Sequence, residues 1–377
     1  MRLFYLANIR IPTEKAHGVA IVKACEAFAR AGVETRLVVP KRRTPFAKGI
    51  FETYGVEKIF EVKFLPTADL ISEKAGAAIF WLQTATFQVS VILYLLFRSR
   101  SIILYTRDPG FLLLRWLGFR VVFECHLISK NRNTFFSLAR TAYKVVVISE
   151  ALQRGFTEAG FAPDRVLVAP SGVDLSIFDI EVTKEDARRK LNLPPHEYIA
   201  LYTGNFTTMG ADKGISEILK AIREVPEVMF VAVGGAQKDI ARYKKEAHDL
   251  EVSDQVILRG TTTQHELATY QKAADVLLMP FPDTPHYRNH MSPVKMFEYM
   301  AAKRPIIASD LPTIKEVLNN QNALIVPPGD EHELSNALKN VANDETAASY
   351  LGEQAYRDVT EYSWDERTKK VLKFVQR

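Results

Sequence analysis

An acid-bearing helix that starts directly after a Ser-Pro turn is the feature of this sequence with the clearest chemical meaning. Ser292-Pro293 suits a helix start, residues 296–302 are good helix formers, and Lys303-Arg304-Pro305 ends the helix before the apolar run 306–308. Glu298 then lies one to two turns into a helix whose N-terminal amides point at the preceding loop. Phosphate groups bind readily at such helix starts. We therefore expect a ligand-binding α/β turn, with helix amides near Ser292 to Val294 available to an anion.

Two lysines could add positive charge to this turn. Lys213 follows the loop Asn205 to Asp212 and precedes a helix from Gly214, so we expect its ammonium and that helix start to face one anion together. Lys295 has two interpretations, a phosphate ligand or a solvated surface charge.

The block Ser-Pro-x-Lys-x-Phe-Glu-Tyr-Met-Ala resembles the donor-site motif of family 4 glycosyltransferases. The resemblance covers nearly the whole chain. It includes four further motifs: Tyr202-Thr203-Gly204-Asn205 with Asp212-Lys213-Gly214, the turn Val231 to Gly235, Gly260 before Glu266-Leu267, and Ala273 to Val276. It implies an α/β protein with the GT-B fold, two Rossmann-like domains that face each other across an interdomain cleft. It also implies transfer of a sugar from a nucleotide sugar with retention of configuration, usually without a metal.

The resemblance assigns roles to individual residues. It places Glu298 on the ribose hydroxyls of the donor, Lys213 on its diphosphate and His126 on its sugar, and we interpret these three as the catalytic set. Gly18 would allow the backbone to approach the donor phosphates, and a short turn between strand and helix is the alternative explanation for this glycine. The further donor-binding candidates lie at strand ends or in the Ser-Pro block: Gly204, Asn205, Gly234, Arg259, Gly260, Thr261, Ser292, Val294 and Lys295.

Two positions depart from the family pattern. Asn205 stands where relatives often carry an arginine that completes the diphosphate clamp, and Lys295 and Arg259 are the candidates to replace that charge. His290 stands where many relatives carry a glutamate that contacts the donor sugar. The second departure leaves the identity of the sugar open. The nucleotide is open too, with a UDP- or GDP-sugar favoured, and no separate cofactor or metal is expected.

The first half of the chain carries candidates for the acceptor side. His126 follows the strand 121–123, and Arg107-Asp108 follows the strand 102–105, where ligands of parallel sheets collect. Arg107 and Asp108 either bind the acceptor or form a loop salt bridge. Glu124 is expected on the opposite face of its strand, as a support or an acceptor contact.

Alternating strands and helices predict two Rossmann-like halves. The N-terminal domain is expected over residues 1–173 and the donor domain over 174–359. The family resemblance implies that the C-terminal helix 360–377 completes the N-terminal domain. The predicted strands of both halves are 2–7, 34–39, 102–105, 121–123, 144–148, 166–169, 198–203, 228–233, 255–258, 276–280, 305–308 and 323–326. Length, 47% apolar and 25% charged residues suit such a two-domain globular protein.

The distribution of charge and the two cysteines indicate which partners and which compartment to expect. Nine Lys or Arg against Asp108 and Glu124 lie between Arg98 and Lys144, and the basic cluster 41–48 is in the same half. This suits anionic phospholipid, a phosphorylated acceptor or, last, nucleic acid, for which no recognised module is present. Cys25 and Cys125 have no metal or disulfide spacing. We expect a cytoplasmic protein, at the inner membrane face if it has peripheral membrane contact, with a glycan or lipid-linked acceptor.

The 23 residues from Ala75 to Phe97 carry no charge and are long enough to span a membrane. Five polar residues interrupt the middle of this stretch, and a span would separate strands that must pair. The sequence favours a buried helix over an interfacial one, and an interfacial helix over a spanning one.

The function favoured by the sequence is a retaining glycosyltransferase of polysaccharide, lipopolysaccharide or glycolipid synthesis. A nucleotide-sugar epimerase of the same architecture is one alternative. A non-catalytic nucleotide-sugar-binding or membrane-adaptor protein is another, suggested by Asn205, His290 and the uncharged stretch.

Overall fold

The computed structural model describes residues 1–13, 16–44, 46–70, 77–208 and 210–377. They form two compact units, which we call unit 1 (Met1–Ser171 with Trp364–Arg377) and unit 2 (Gly172–Ser363). The sequence placed the first boundary between 173 and 174 and the return between 359 and 360.

The elements alternate along the described chain as parallel-sheet proteins require. The strands are β1 Arg2–Leu6, β2 Glu34–Pro40, β3 Glu61–Leu65, β4 Ile103–Thr106, β5 Arg120–Cys125, β6 Lys144–Val147, β7 Val166–Val168, β8 Tyr198–Thr203, β9 Thr207–Thr208, β10 Ala211–Asp212, β11 Val228–Val233, β12 Val256–Arg259, β13 Val276–Met279, β14 Ile306–Ser309 and β15 Leu324–Val326. The helices are α1 Ala16–Arg30, α2 Ile50–Tyr54, α3 Ala77–Leu96, α4 Arg132–Ala139, α5 Glu150–Glu158, α6 Leu175–Phe178, α7 Lys184–Leu191, α8 Ile215–Ile222, α9 Gln237–Asp249, α10 Gln264–Ala273, α11 Pro285–Asn289, α12 Val294–Ala301, α13 Pro312–Lys315, α14 Glu331–Asn343, α15 Glu345–Val359 and α16 Trp364–Gln376. Short 3-10 helices cover Pro109–Leu117, Pro163–Arg165, Ser253–Gln255 and Thr360–Tyr362.

Unit 1 is built on a parallel sheet with strand order β3-β2-β1-β4-β5-β6-β7. Both faces of this sheet are buried, so alternate residues of one strand enter different cores. Phe4 and Leu6 of β1 lie in one apolar cluster, and Leu3 and Tyr5 lie in the other. Helix α16 packs on α1, where Val371 and its neighbours join the second cluster. The last helix of the chain therefore belongs to unit 1.

Unit 2 has a second parallel sheet with strand order β12-β11-β8-β13-β14-β15. Its strands are also buried on both faces: Ala200 and Tyr202 of β8 enter one core, and Leu201 enters the other. The small antiparallel hairpin β9–β10 follows β8 directly. The predicted α/β class with two Rossmann-like domains is confirmed.

The uncharged stretch forms helix α3, but this helix is not buried as predicted. The first two residues of the stretch, 75 and 76, lie outside the described residues. Within residues 77–96 the buried positions are Gln83, Phe87, Val91 and Leu95, so the predicted buried helix is wrong. Among the described residues, Ala77–Leu96 is the one helix whose length and mean hydropathy of 1.6 would allow it to cross a membrane, and 22% of that window is buried. Length and composition alone are weak evidence for a span.

Candidate functional site

A glycine directly follows each of three strands of unit 2: Gly204 after β8, Gly234 after β11 and Gly260 after β12. We call these three residues the glycine edge. Gly204 follows β8 with φ +105°, and Gly234 follows β11 with φ +117°. A Cβ on Gly234 would lie 2.7 Å from the carbonyl of Gly204, so only glycine fits there. The amide of Gly234 donates to the carbonyl oxygens of Arg259 (3.2 Å) and Gly260 (3.0 Å) at the end of β12. The fold thus brings these four predicted residues together with the exposed Thr261 at the carboxyl edge of the sheet, where α/β proteins bind ligands.

Helix α12 is tied to this edge by a buried hydrogen bond. The amide of Thr203, the last residue of β8, donates to the hydroxyl of Tyr299 over 2.7 Å. The helix starts with Pro293 as its N-cap, after Ser292, and the amides of Val294 and Lys295 lie in its first turn, where no acceptor exists within the helix itself. The predicted helix start directly after the Ser-Pro turn is therefore present.

Glu298 is a buried acid on this helix, with 8% of its surface exposed. Burial raises the pKa of its carboxyl to about 7, and the nearby charge of Lys295 and a hydrogen bond from Gln271 oppose this rise only in part. A carboxyl with a pKa near neutrality is at high free energy as an anion. Two ligand hydroxyls donating to it would lower that free energy.

Lys295 lies against the glycine edge. Its Nζ is 3.4 Å from the ring centroid of Tyr202, and a Cβ on Gly204 would lie 3.3 Å from that Nζ. Among the described residues, no acceptor is within hydrogen-bond distance of the ammonium, which is buried. Burial, and then the charge of Lys213, hold its pKa well below the usual range. The interpretation of Lys295 as a solvated surface charge is therefore wrong.

Lys213 follows the hairpin β9–β10, and burial lowers its pKa to about 8. The start of α8, however, is already occupied. The carboxylate of Asp212 accepts from the amides of Gly214 (2.5 Å), Ile215 (2.8 Å) and Ser216 (3.0 Å). The expectation that this helix start and Lys213 bind one anion together is wrong for the helix start, and the lysine alone remains.

The two departures from the family pattern lie beside these groups in the sequence. Asn205 is exposed, and its carbonyl oxygen accepts a hydrogen bond from the hydroxyl of Tyr202. The ammonium of Lys295 lies over the ring of the same tyrosine. His290 follows α11, and its Nδ1 is buried with no hydrogen-bond partner among the described residues. Burial, followed by the charge of His286, lowers the pKa of His290, so its imidazole is neutral.

Unit 1 holds a buried ion cluster around Glu124, which is fully buried. Its Oε1 lies 2.7 Å from Nη2 of Arg107, its Oε2 lies 3.0 Å from Nη2 of Arg367, and the hydroxyl of Tyr105 donates to Oε2. Burial opposes ionisation of Glu124, but the two guanidinium groups outweigh it and hold its pKa well below the usual range. Arg367 comes from α16 and was not predicted, since 243 residues of chain separate it from Glu124 (367 − 124).

His126 also contacts this carboxylate. Its Nε2 lies 2.7 Å from Oε1 of Glu124, so the two side chains share one face of the chain and the expectation of opposite faces is wrong. Residues i and i+2 of a strand point to the same side. Burial and the charge of Arg107 lower the pKa of His126 to about 4. Because an ionised carboxylate only accepts, Nε2 carries the proton and Nδ1 is an acceptor.

The remaining unit 1 candidates are held by their own neighbours. Asp108 accepts from the amide of Asn8 over 2.8 Å, and burial raises its pKa. Arg107 pairs with Glu124 rather than with Asp108, so the salt bridge is present with a different partner. Gly18 is buried inside α1, where a Cβ would lie 2.5 Å from both Thr13 and the hydroxyl of Tyr54. Close packing within unit 1 thus requires this glycine.

A groove of about 1170 Å³ runs along the edge strand β3 of unit 1. It is lined by apolar side chains such as Phe64 and by the basic residues Lys41, Arg42 and Lys48. The sequence indicated the basic cluster but not β3 or the groove.

Comparison with known proteins finds a family model and curated proteins that are similar to part of this chain. Residues 183–358 match the family model described as glycosyl transferases group 1. D-inositol 3-phosphate glycosyltransferase of Xylanimonas cellulosilytica is 26% identical over 219 residues, which cover 55% of this chain and 50% of that protein. The chain thus spans about half the length of the curated relatives it matches.

Two solved structures show the same fold over the whole chain. Sucrose-phosphate synthase of Thermosynechococcus elongatus has a TM-score of 0.80 at 19% identity, covering 100% of this chain and 98% of its own. HepE of Anabaena in complex with UDP-glucose has a TM-score of 0.76 at 15% identity, covering 100% and 99%. The fold is the GT-B fold of these solved structures, and residues 183–358, just under half of the chain, are similar to the group 1 glycosyltransferases.

Proposed function

We propose that the protein is a retaining, metal-independent glycosyltransferase that takes a hexose from a UDP- or GDP-sugar. The observation that carries this proposal is the pairing of a buried, partnerless ammonium (Lys295) with a buried acid of raised pKa (Glu298) on the helix beside the glycine edge. The ammonium has no hydrogen-bond acceptor among the described residues, and the partners of the carboxyl offset the effect of its burial only in part. A diphosphate and a ribose diol supply those two kinds of partner.

The roles of the residues follow from their chemistry. The base lies over the backbone edge of Gly204, Gly234 and Gly260, and Glu298 accepts both ribose hydroxyls. Lys213, Lys295 and the first amides of α12 stabilise the negative charge that grows on the diphosphate as it leaves. Lys295 supplies the charge that Asn205 does not. HepE binds UDP-glucose with the same fold, which supports a uridine donor.

The acceptor is proposed to be anionic, a lipid-linked or glycan molecule of cell-surface polysaccharide, lipopolysaccharide or glycolipid synthesis. The groove along β3 offers apolar walls and the basic side chain of Lys41, which suits a phosphorylated amphiphile. Arg42 and Lys48 also line it and pair with Asp69 and Glu52. The relative from Xylanimonas is named for D-inositol 3-phosphate, a phosphorylated molecule. Neutral His126, held by Glu124, is proposed to contact the transferred sugar through Nδ1.

A donor screen tests the proposal. Binding of UDP-, GDP- and ADP-sugars is measured by thermal shift and by nucleotide release, with and without a chelator, on the wild type, Glu298→Gln and the exposed control Glu333→Gln. We expect one nucleotide class to stabilise the wild type and the control, and Glu298→Gln to bind roughly ten- to a hundredfold more weakly. Release that persists in chelator supports metal independence. Absence of binding by every donor would overturn the proposal, and binding without turnover by any acceptor would favour a non-catalytic binding protein.

A further inference from the structure

Helix α3 of unit 1 exposes apolar side chains on its outer side, and several of its polar side chains are hydrogen-bonded to unit 1. One narrow stripe, Gln83, Phe87, Val91 and Leu95, is buried against the core of unit 1. The residues on the opposite side of the helix have the spacing of a single face. We call this set the α3 outer face: Trp81, Leu82, Ala85, Val89, Ile92, Leu93 and Leu96.

The outer face is exposed and wholly apolar. Trp81 is 66% exposed, Val89 55% and Leu93 59%. Of the sixteen exposed large apolar side chains among the described residues, eight lie between Phe80 and Phe97. Scattered exposed apolar residues are ordinary, but a contiguous apolar face marks a surface that contacts a partner or a membrane.

The polar side chains of α3 point the other way, toward the protein. Gln83 donates to the side chain of Asn8 (2.9 Å), Thr86 accepts from the amide of Ala68 (3.0 Å), and Ser90 donates to the carbonyl oxygen of Pro66 (2.7 Å). These three are among the polar residues that argued from the sequence against a membrane span. Because they are satisfied on the inner side, they do not interrupt the outer face.

A second element beside α3 extends this surface. The 3-10 helix Pro109–Leu117 packs against α3, with the rings of Phe87 and Phe111 5.7 Å apart. It exposes Leu113 by 54% and Trp116 by 78%. Exposed tryptophans on neighbouring elements are typical of proteins that lie at the boundary between lipid chains and headgroups.

The charge of this region is strongly basic. Arg98, Arg100, Arg115 and Arg120 are exposed, and Asp108 is the single acid between residues 77 and 123. Arg98 and Arg100 lie at the end of α3, where Arg100 donates to the carbonyl oxygen of Leu95 over 2.9 Å. An apolar face bordered by arginines is complementary to anionic phospholipid headgroups. Two copies of the chain facing each other would bring these arginines together, which disfavours a dimer through this face.

We propose that the α3 outer face, with the neighbouring Leu113 and Trp116, docks unit 1 on an anionic phospholipid bilayer. The helix lies in the plane of the interface and does not cross the bilayer, because its inner stripe and three polar side chains remain bound to unit 1. The proposal concerns unit 1 alone and does not depend on donor chemistry in unit 2. Docking would bring a lipid-linked acceptor to the enzyme by diffusion within the membrane.

Vesicle flotation tests the proposal on the full chain without nucleotide. The vesicles are pure phosphatidylcholine or contain a third of phosphatidylglycerol. The variants are Trp81→Ser/Leu93→Ser, which changes the outer face, Arg98→Gln/Arg115→Gln, which changes the charge, and Tyr350→Ser, a control that removes an exposed aromatic residue of unit 2. We expect the wild type and the control to float with anionic vesicles, and both double variants to bind roughly tenfold or more weakly.

Tryptophan fluorescence gives a second test, which does not depend on whether the flotation variants fold. In Trp116→Phe the remaining tryptophans are Trp81 and the buried Trp364. We expect anionic vesicles of brominated lipid to quench the fluorescence of Trp81 in this variant.

Absence of flotation and of quenching would overturn the proposal, as would equal flotation of the wild type and Trp81→Ser/Leu93→Ser. A wild-type dimer that this double variant converts to a monomer, without vesicle binding, would show instead that the face joins two copies. Donor binding measured in solution is independent of each of these outcomes.

Discussion

Oε1 of Glu124 lies 2.7 Å from Nε2 of His126, and the same oxygen lies 2.7 Å from the guanidinium of Arg107. The carboxylate therefore sets the tautomer of His126 while it neutralises Arg107 and Arg367. A positioning residue of this kind acts on the histidine and on the stability of unit 1 together. Its two effects can be separated experimentally.

Glu124→Gln is expected to destabilise unit 1 by about 3–5 kcal/mol, because two buried guanidinium groups lose their counter-charge. Tyr105→Phe, which removes one hydrogen bond to the same carboxylate, is expected to cost about 1 kcal/mol. Urea unfolding followed by tryptophan fluorescence measures both, since the three tryptophans of the chain, Trp81, Trp116 and Trp364, all belong to unit 1. Equal losses in the two variants would show that the carboxylate does not hold the cluster.

His126 predicts a pH dependence of unit 1. Its pKa falls from 6.5 to about 4 on folding because of burial and the charge of Arg107. The unfolded chain therefore takes up a proton first, and the contribution of His126 to stability, complete above pH 6.5, is lost as the pH falls toward 4. His126→Gln should flatten the loss of stability between these pH values, measured by urea unfolding at each pH. An unchanged slope would show that the imidazole titrates normally in the folded protein.

The parts of the site that the sequence predicted are local in the chain. The Ser-Pro entry and the acid at Glu298 lie within a few residues of one another, and each strand-end glycine directly follows its own strand. Local patterns report such arrangements well. The Glu124–Arg367 pair depends on the return of α16 to unit 1, for which no local pattern exists. Strand β3 was missed because its residues are mostly exposed, so it lacks the apolar run of the buried strands.

Helix α3 shows a different limit of the sequence. Its high mean hydropathy predicts burial only if the apolar side chains face the core. Three of the polar residues that interrupt the stretch are instead hydrogen-bonded on the inner side, as Ser90 is to the carbonyl oxygen of Pro66. A single sequence reports which residues are apolar, but not which side of an almost uniformly apolar helix is covered.

Lys295→Met is expected to separate folding from donor binding. The ammonium has no acceptor within hydrogen-bond distance among the described residues, so its removal should leave the free energy of unfolding unchanged or raise it by about 1 kcal/mol. Affinity for the nucleotide sugar should fall roughly ten- to a hundredfold, because a charged contact to the diphosphate is lost. Calorimetry measures both quantities. Lys303→Met is the matched control, since its Nζ also lies over a tyrosine ring, 3.9 Å from the centroid of Tyr356. Unchanged donor affinity in Lys295→Met would remove this lysine from the site.

Donor affinity should have a maximum between about pH 7 and pH 8. Burial raises the pKa of Glu298 to about 7, so its carboxylate is lost below that pH, and burial lowers the pKa of Lys213 to about 8, so its ammonium is lost above that pH. Affinity should fall about tenfold per pH unit on each side. Titration calorimetry at a series of pH values checks this. Glu298→Gln should remove the acid limb, and a limb that persists would assign it to another group. Lys213→Arg should remove the contribution of Lys213 to the alkaline limb, and a limb that remains is assigned to Lys295, whose pKa is also lowered by burial. An alkaline limb unchanged in Lys213→Arg would show that Lys213 does not contribute to it.

Gly214 is expected to be the glycine of unit 2 that tolerates substitution least. Its φ is +96°, and a Cβ there would lie 1.9 Å from the carbonyl oxygen of Pro280, which follows β13. Backbone strain and the clash together should cost about 3 kcal/mol or more in Gly214→Ala. Gly329 also has a positive φ of +80°, but nothing lies within 4 Å of its Cβ position, so Gly329→Ala should cost only about 1–2 kcal/mol. Scanning calorimetry of unit 2 compares the two variants. Because Lys213 precedes Gly214, donor affinity should fall in Gly214→Ala and stay unchanged in Gly329→Ala, whereas equal effects of the two variants would show that the contact with Pro280 does not position the lysine.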